Sequence, residues 1–263
     1  VTEIITDANL IAQYAEKIME EPAPVIVTRA PSESEVSLPG GFVRQSGEVV
    51  KTAEVRELNG ADEEAIAKAG NTGKALNILL ERGLVSLGGE PVTRSDLDTL
   101  LSGDRDAILI GIRRVTFGPT LDVPVGCQHC SAEYMDKIDL LENVPVKELK
   151  DFEDRRWTMK TKAGEVVVAL PNGIVQKRLM ENLDKTTAEI NTLILAGCII
   201  SVNGSPAVGA GTALSLSMND RNAILEEIIA RTPGPRLGEV TKACKACGES
   251  MELPLSLVDL FRL

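Results

Sequence analysis

Aromatic rings are scarce in this chain. Its 263 residues include four Phe, two Tyr and one Trp, 3% in all. That leaves too few exposed rings for the stacking platforms that bind single-stranded nucleic acid, and it leaves the core to Leu, Ile, Val and Ala. Histidine is rarer still: His129 is the only one, so Ser-His-Asp and Cys-His arrangements lack a free base. Neither a G-x-x-x-x-G-K-[ST] phosphate loop nor an H-E-x-x-H helix occurs, and the chain is expected to be no enzyme. No apolar run reaches the roughly 18–20 residues that cross a bilayer. The opening Val1-Thr-Glu-Ile has no basic stretch followed by an apolar core, so neither a membrane segment nor a secretory signal is expected. Basic residues are outnumbered, 28 Lys and Arg against 39 Asp and Glu, for a formal net charge of −11. Such a surface repels phosphate backbones, so a general nucleic-acid partner is not expected.

Against these absences stand five cysteines, four of them in two C-x-x-C knuckles: Cys127-Gln-His-Cys130 and Cys244-Lys-Ala-Cys247. Each is flanked by β-prone residues, and Gly248 suits the tight turn of a knuckle. Two knuckles offer four thiolates, a tetrahedral set that closes around a structural Zn²⁺. A catalytic zinc would need an open position, and His129 reads as a solvent-facing knuckle residue. Two other uses stay open: each knuckle completed by another subunit, or a thiol redox pair, which prefers a single pair at a helix N-terminus. Cys198, within Leu193-Ile-Leu-Ala-Gly-Cys-Ile-Ile200, reads as a small buried hydrophobe. No disulfide is needed, and a reducing cytosolic setting fits.

In chain order, Thr6–Glu21 reads as an amphipathic helix (Leu10, Ile11, Tyr14, Ala15, Ile18), an N-terminal arm over 1–21 tethered by a Pro-rich linker over 22–37. A hairpin is expected over Val43–Leu58, turning at Gln45-Ser-Gly-Glu48. Helices follow at Ala61–Ala69 and Thr72–Arg82, with Gly83 as C-cap. A short hairpin turns at Gly88-Gly89, and a Thr93/Asp96 capping box opens a helix at Leu97–Leu101. Asp104–Val115 is a further helix. Asp104-Arg105 and Asp220-Arg221 read as caps or ion pairs.

The chain then repeats its own order. Asn59-Gly60 returns as Asn172-Gly173, and the helix ending at Gly83 as the one ending at Gly197. Gly88-Gly89 is answered by Asn203-Gly204, Asp104-Arg105 by Asp220-Arg221, Gly118-Pro119 by Gly234-Pro235, and the first knuckle by the second. The offsets drift only from 113 to 117 in collinear order. The expected fold is therefore α+β: a tandem duplicated unit over 38–146 and 147–263, each copy ending in half of a zinc-ribbon-like four-cysteine site. One ion would fasten the copies together.

Ser37-Leu-Pro-Gly-Gly41, Val55-Arg-Glu-Leu58 with Ala61-Asp-Glu-Glu64, Asp104-Arg-Asp-Ala-Ile-Leu109 running to Arg113, and Cys127-x-x-Cys130 with Ile138-Asp-Leu140 together form a pattern. It resembles the baseplate-hub family of bacteriophages with T-even-type contractile tails. The resemblance covers about Ser37 to Leu140, and this chain departs from it by lacking the usual Ser after Leu38-Pro39. It implies a structural or assembly component of the tail baseplate, in multimeric contact with other tail proteins. The setting would be the host cytoplasm during assembly, or the virion tail. The metal role it implies rests on Cys127, Cys130, Cys244 and Cys247. A zinc-ribbon nucleic-acid or transcription factor is the alternative, and a thiol oxidoreductase a weaker one.

Overall fold

The computed structural model describes residues 34–182 and 184–261. The expected arm over 1–21 and residues 22–33 of the expected linker lie outside the described residues. The first described strand, β1 (Glu35–Val43), pairs antiparallel with β2 (Val49–Val55). The turn falls at Gln45–Glu48 as expected, closed by Arg44 N–H donating to Glu48 O at 2.9 Å. The incoming strand, however, lies before Val43 and takes in Glu35–Ser37, residues expected in the linker. Pro39-Gly40-Gly41 reads as a chain breaker. Here the register shifts between Ser37 and Phe42, so the breakers sit in a bulge while Leu38 and Phe42 still reach the core.

Helix α1 (Gly60–Ala67) starts at a capping box of Asn59 and Asp62. Asp62, buried, also receives Arg56 at 2.8 Å and Arg82 at 3.1 Å, and the Arg56 hydrogen bond does most to hold its carboxyl down at about 2. Helix α2 (Thr72–Gly83) turns Leu76, Leu79 and Leu80 inward and runs straight into β3 (Leu84–Leu87). The left-handed cap expected at Gly83 does not form. Gly83 is the last helical residue, and a Cβ there would meet Ile112 at 2.5 Å: it permits contact with the next long helix. Gly88 and Gly89, both at positive φ, turn β3 into β4 (Glu90–Pro91). The Thr93/Asp96 box opens α3 at Arg94, earlier than expected, and α3 ends at Thr99. Helix α4 (Ser102–Phe117) sends Ile108, Leu109 and Ile112 into the first core.

A hairpin of β5 (Thr120–Gly126) and β6 (Glu133–Asp139) carries the first knuckle. After β7 (Val146–Lys147) the order of elements recurs. Strands β8 (Arg156–Thr161) and β9 (Gly164–Ala169) precede α5 (Gly173–Met180) and α6 (Thr187–Cys198). Then come β10 (Ile199–Val202), β11 (Ser205–Pro206), α7 (Gly209–Ser215) and α8 (Met218–Arg231). Last are β12 (Gly234–Pro235), the hairpin β13 (Thr241–Ala243) and β14 (Ser250–Glu252), and α9 (Leu257–Phe261). The two four-stranded sheets run β1-β2-β3-β4 and β8-β9-β10-β11, each over its own apolar core. The protein is thus a mixed α/β fold.

The two Asp-Arg pairs do the same work in each half, and it is neither capping nor ion pairing. Asp104 accepts the Gly40 N–H at 2.7 Å, and Asp220 accepts the Lys162 N–H at 3.0 Å. Each ties a long helix to the first hairpin of its sheet. Arg105 donates to Leu97 O and Asn77 Oδ1, both at 2.7 Å; Arg221 donates to Ala213 O and Thr192 Oγ1, both at 2.8 Å. Each guanidinium pins the end of a short helix to the helix before it.

The halves meet through backbone. A Cβ on Gly103 would lie 1.7 Å from Pro233 O, on Gly73 2.2 Å from Met180 O, and on Gly173 2.1 Å from Leu97 O. The Gly173 N–H donates to Leu100 O, and the Ser102 N–H to Pro171 O; β7 pairs with β12. Gln176 of α5 bridges Arg105 Nε and Asp106. The halves are therefore fastened by backbone and side-chain contacts of their own, in addition to the four-cysteine cluster expected to join them.

We expect Gly103→Ala to lower stability by about 1–3 kcal/mol, the usual effect of forcing volume into a packed site. Gly60→Ala, with open space at its Cβ, should change it by less than about 0.5 kcal/mol. Equal urea midpoints for the two would refute the close junction. Burial also drives the Asp104 carboxyl up to about 6, against the Gly40 N–H and the charge of Arg155, and Asp106 up to about 7. A raised carboxyl pKa penalises the ionised folded state, so this contribution favours folding most below about pH 4 and falls away as pH rises through 6. Asp104→Asn should therefore gain on the wild type by about 1–3 kcal/mol between pH 5 and 7.5; parallel urea curves at both pH values would contradict it.

Candidate metal centre

The two knuckles lie at the tips of two hairpins standing side by side. In each, the first cysteine closes the loop with a pair of backbone bonds. Cys127 N–H donates to Ala132 O and Ser131 N–H to Cys127 O, both at 2.9 Å. Cys244 N–H donates to Glu249 O and Gly248 N–H to Cys244 O, both at 2.8 Å. The loop needs a left-handed residue four positions after its first cysteine. Gly248 takes it at φ 80° without strain; Ser131 takes it at φ 58°, where an L residue is disfavoured by about 1–2 kcal/mol. Cys127 and Cys244 are buried, while Cys130 and Cys247 face outward.

The structure brings together all four cysteines singled out from the sequence. Their sulfur atoms lie within 4.8 Å of one another. Cys127 Sγ is 3.7 Å from Cys247 Sγ, and Cys130 Sγ is 3.8 Å from Cys244 Sγ. A tetrahedral ion with metal–sulfur bonds of ~2.3 Å has S···S edges of about 3.8 Å, so the residues present fit a tetrahedral ion. The charge chemistry points the same way. The N–H groups of Cys247 and Ala246 pull the Cys244 thiol down to about 6. Cys247 is pushed up to about 12: the Glu249 N–H favours its thiolate, but desolvation and the crowding of the other three sulfurs outweigh it. Four sulfurs this close resist becoming four thiolates together unless a cation shares the site.

The stem below the knuckles is apolar. Val125, Cys127, Cys244 and Met251 form a small cluster. Beneath it Ile110, Leu121, Ile138, Leu140 and Val144 pack with Leu237, Val240 and Leu260. The last elements of the chain are thus seated on the first half by α4, and the cysteines close the outer edge of that contact. Arg113 fixes the seat, its Nε donating to Leu260 O at 2.8 Å.

Sequence reasoning missed a second set of links between the hairpins. Asp136 on β6 is buried and receives Lys245 at 2.7 Å and Lys242 at 3.2 Å from the other hairpin. The Lys245 bond does most to hold the Asp136 carboxyl below its usual range. The Lys245 N–H also donates to Tyr134 Oη at 3.0 Å, and its ammonium lies 5.6 Å from the Tyr134 ring centre. The signal was an aspartate in phase with Ile138 on an alternating strand, an inward position that needs a cation. His129 is exposed, as expected. Cys198 is fully buried in the second core, where desolvation pushes its thiol up to about 12.

Cys244→Ser with Cys247→Ser, or chelation, should abolish amide protection in β13 and β14 and at the β5–β6 tip. The junction helices α4 and α5 should keep theirs. Hydrogen exchange resolved by mass spectrometry reads both, and loss of protection throughout the second half would show that the metal, not the glycine contacts, holds the halves together. Compared with protein-family models, curated proteins and solved structures, the chain matches none.

Proposed function

We propose that this chain is a structural or assembly component of a bacteriophage tail baseplate, in its hub region. Its four cysteines hold a structural Zn²⁺, and the fold is a duplicated α/β unit. The observation that carries the reading is the closed four-sulfur site. Cys127, Cys130, Cys244 and Cys247 fill a tetrahedron and leave no position for substrate or water, so the metal's role is to hold. Zinc suits four thiolates at these spacings, with no redox chemistry of its own. The duplication is supported by the matched strand order and by the parallel duties of Asp104 with Asp220 and Arg105 with Arg221. The family pattern over Ser37–Leu140 supplies the baseplate assignment. In this reading the protein is non-catalytic, acts on neighbouring tail proteins, and works in the host cytoplasm during assembly or within the tail.

The nucleic-acid reading of a zinc ribbon gains little here. The two lysines of the second hairpin, Lys242 and Lys245, are engaged with Asp136 and are not left for phosphates.

Elemental analysis of the purified protein should give one zinc per chain. Loss of the gene from its phage should leave heads without contractile tails. Wild-type protein supplied in trans should restore them, and Cys244→Ser with Cys247→Ser should not. Normal tails without the protein would end the baseplate assignment, and tight, salt-sensitive DNA binding would favour the alternative.

A further inference from the structure

The junction inside the chain uses two different surfaces. The second half contributes α5, from Gly173 to Met180, and the Pro233 turn. The first half contributes the starts of α2 and α4 and the end of α3. Because the elements recur in order, each half carries a counterpart of the surface that the other half uses; among the described residues both counterparts are open, with Phe261 of α9 lining one edge of the first. In the first half the counterpart of α5 is α1, and that of Pro233 is Phe117. There the structure has an open apolar groove of about 470 Å³, lined by Gly60, Glu63, Ala67 and Phe117 among others. Phe117 is 62% exposed. In the second half the counterparts of Asp98 and Ser102 are Leu214 and Met218, which are 67% and 81% exposed. Two polar positions of the buried junction are thus replaced by large apolar side chains on the open end.

From this we infer that molecules of this protein associate head to tail, the α1 groove of one chain seating the α6–α7–α8 end of the next. The occupant is a second copy because the chain already contains a worked example of the contact. Polar groups agree. Inside the chain Arg105 Nε donates to Gln176. At the open end the corresponding Arg221 Nε has no partner among the described residues, and the residue that corresponds to Gln176 in α1 is Glu63, exposed and acidic. Glu63 is thus a charged acceptor for a cation, a stronger pairing than the neutral one inside.

The external contact is not a tracing of the internal one. Gly73 and Gly103, which allow backbone approach, are the second residues of α2 and α4. Those of the matching helices α6 and α8, the former in a register one residue beyond the sequence match of Gly83 with Gly197, are Ala188 and Asn219. Their side chains hold a docking chain farther off than the internal junction does, and Leu214 and Met218 have the length to fill the gap. The association is therefore weaker than the internal junction and reversible. Being heterologous, it builds a ring if the rotation closes and an open array if it does not. The inference does not rest on the baseplate reading.

Sedimentation velocity on the full, metal-loaded chain tests it. Wild-type protein should grow with concentration past the dimer or settle as one closed ring. Met218→Glu and Phe117→Glu should each be monomeric, with unchanged circular dichroism. Mixed together they should form a 1:1 dimer and nothing larger, because each retains one intact end and only one complementary pair survives. A wild-type monomer at all concentrations would overturn the inference. So would a mixture of the two variants that stays monomeric, or a chain that binds another tail protein through Met218 but never itself. Monomeric behaviour with intact tail assembly would leave the proposed function standing.

Discussion

The structure depends on backbone meeting backbone between its two halves. At Gly73, Gly103 and Gly173 a carbonyl from the other half occupies the space of a missing side chain. Contact that close removes water from neighbouring peptide groups, and hydrogen bonds pair several of them: Gly173 N–H with Leu100 O and Ser102 N–H with Pro171 O across the junction, and Leu97 O with Arg105 within the first half. It also leaves no room for slippage of α5 against α2 and α3, or of the Pro233 turn against α4. Everything beyond it inherits that placement, including where the second hairpin arrives against the first.

Charge is handled differently on the two sides of the molecule. At the junction, carboxylates are buried with few full partners: Asp104 has one oxygen on the Gly40 N–H and the other buried without a hydrogen bond. Desolvation prevails there. At the hairpins, Asp136 is just as buried but faces two lysines, and attraction prevails. Asp220, the counterpart of Asp104, lies outside the junction, and the Lys162 N–H draws its carboxyl down. The same residue in the same local role titrates in opposite directions because only one of them has another half of the molecule packed over it.

The four cysteines sit at the far end of this arrangement, on an apolar stem that already joins the last elements of the chain to its middle. A metal held there would close the stem's exposed tip, at the ends of two strand pairs three to seven residues long. Its energetic weight would fall on the hairpins, because the halves have contacts of their own.

Much of the site was legible in the chain. Four thiols in two C-x-x-C turns carry their geometry with them, because a knuckle is made by local hydrogen bonds and needs only Gly248, or a strained Ser131, to close. The helices and tight turns were legible for the same reason, since caps such as Thr93 with Asp96 and turns such as Gly88-Gly89 act over three or four residues. The start of β1 was not, because Pro39-Gly40-Gly41 looks like a break unless a partner strand absorbs it as a bulge. Nor was the purpose of Gly83, Gly103 or Asp104, whose partners Ile112, Pro233 and Gly40 lie 29, 130 and 64 positions away. Sequence by itself determined the local units, their order and the four cysteines that come together. Tertiary structure decided which glycines touch, which carboxylates are desolvated and how the two hairpins meet, because those depend on distances between segments that no local spacing encodes.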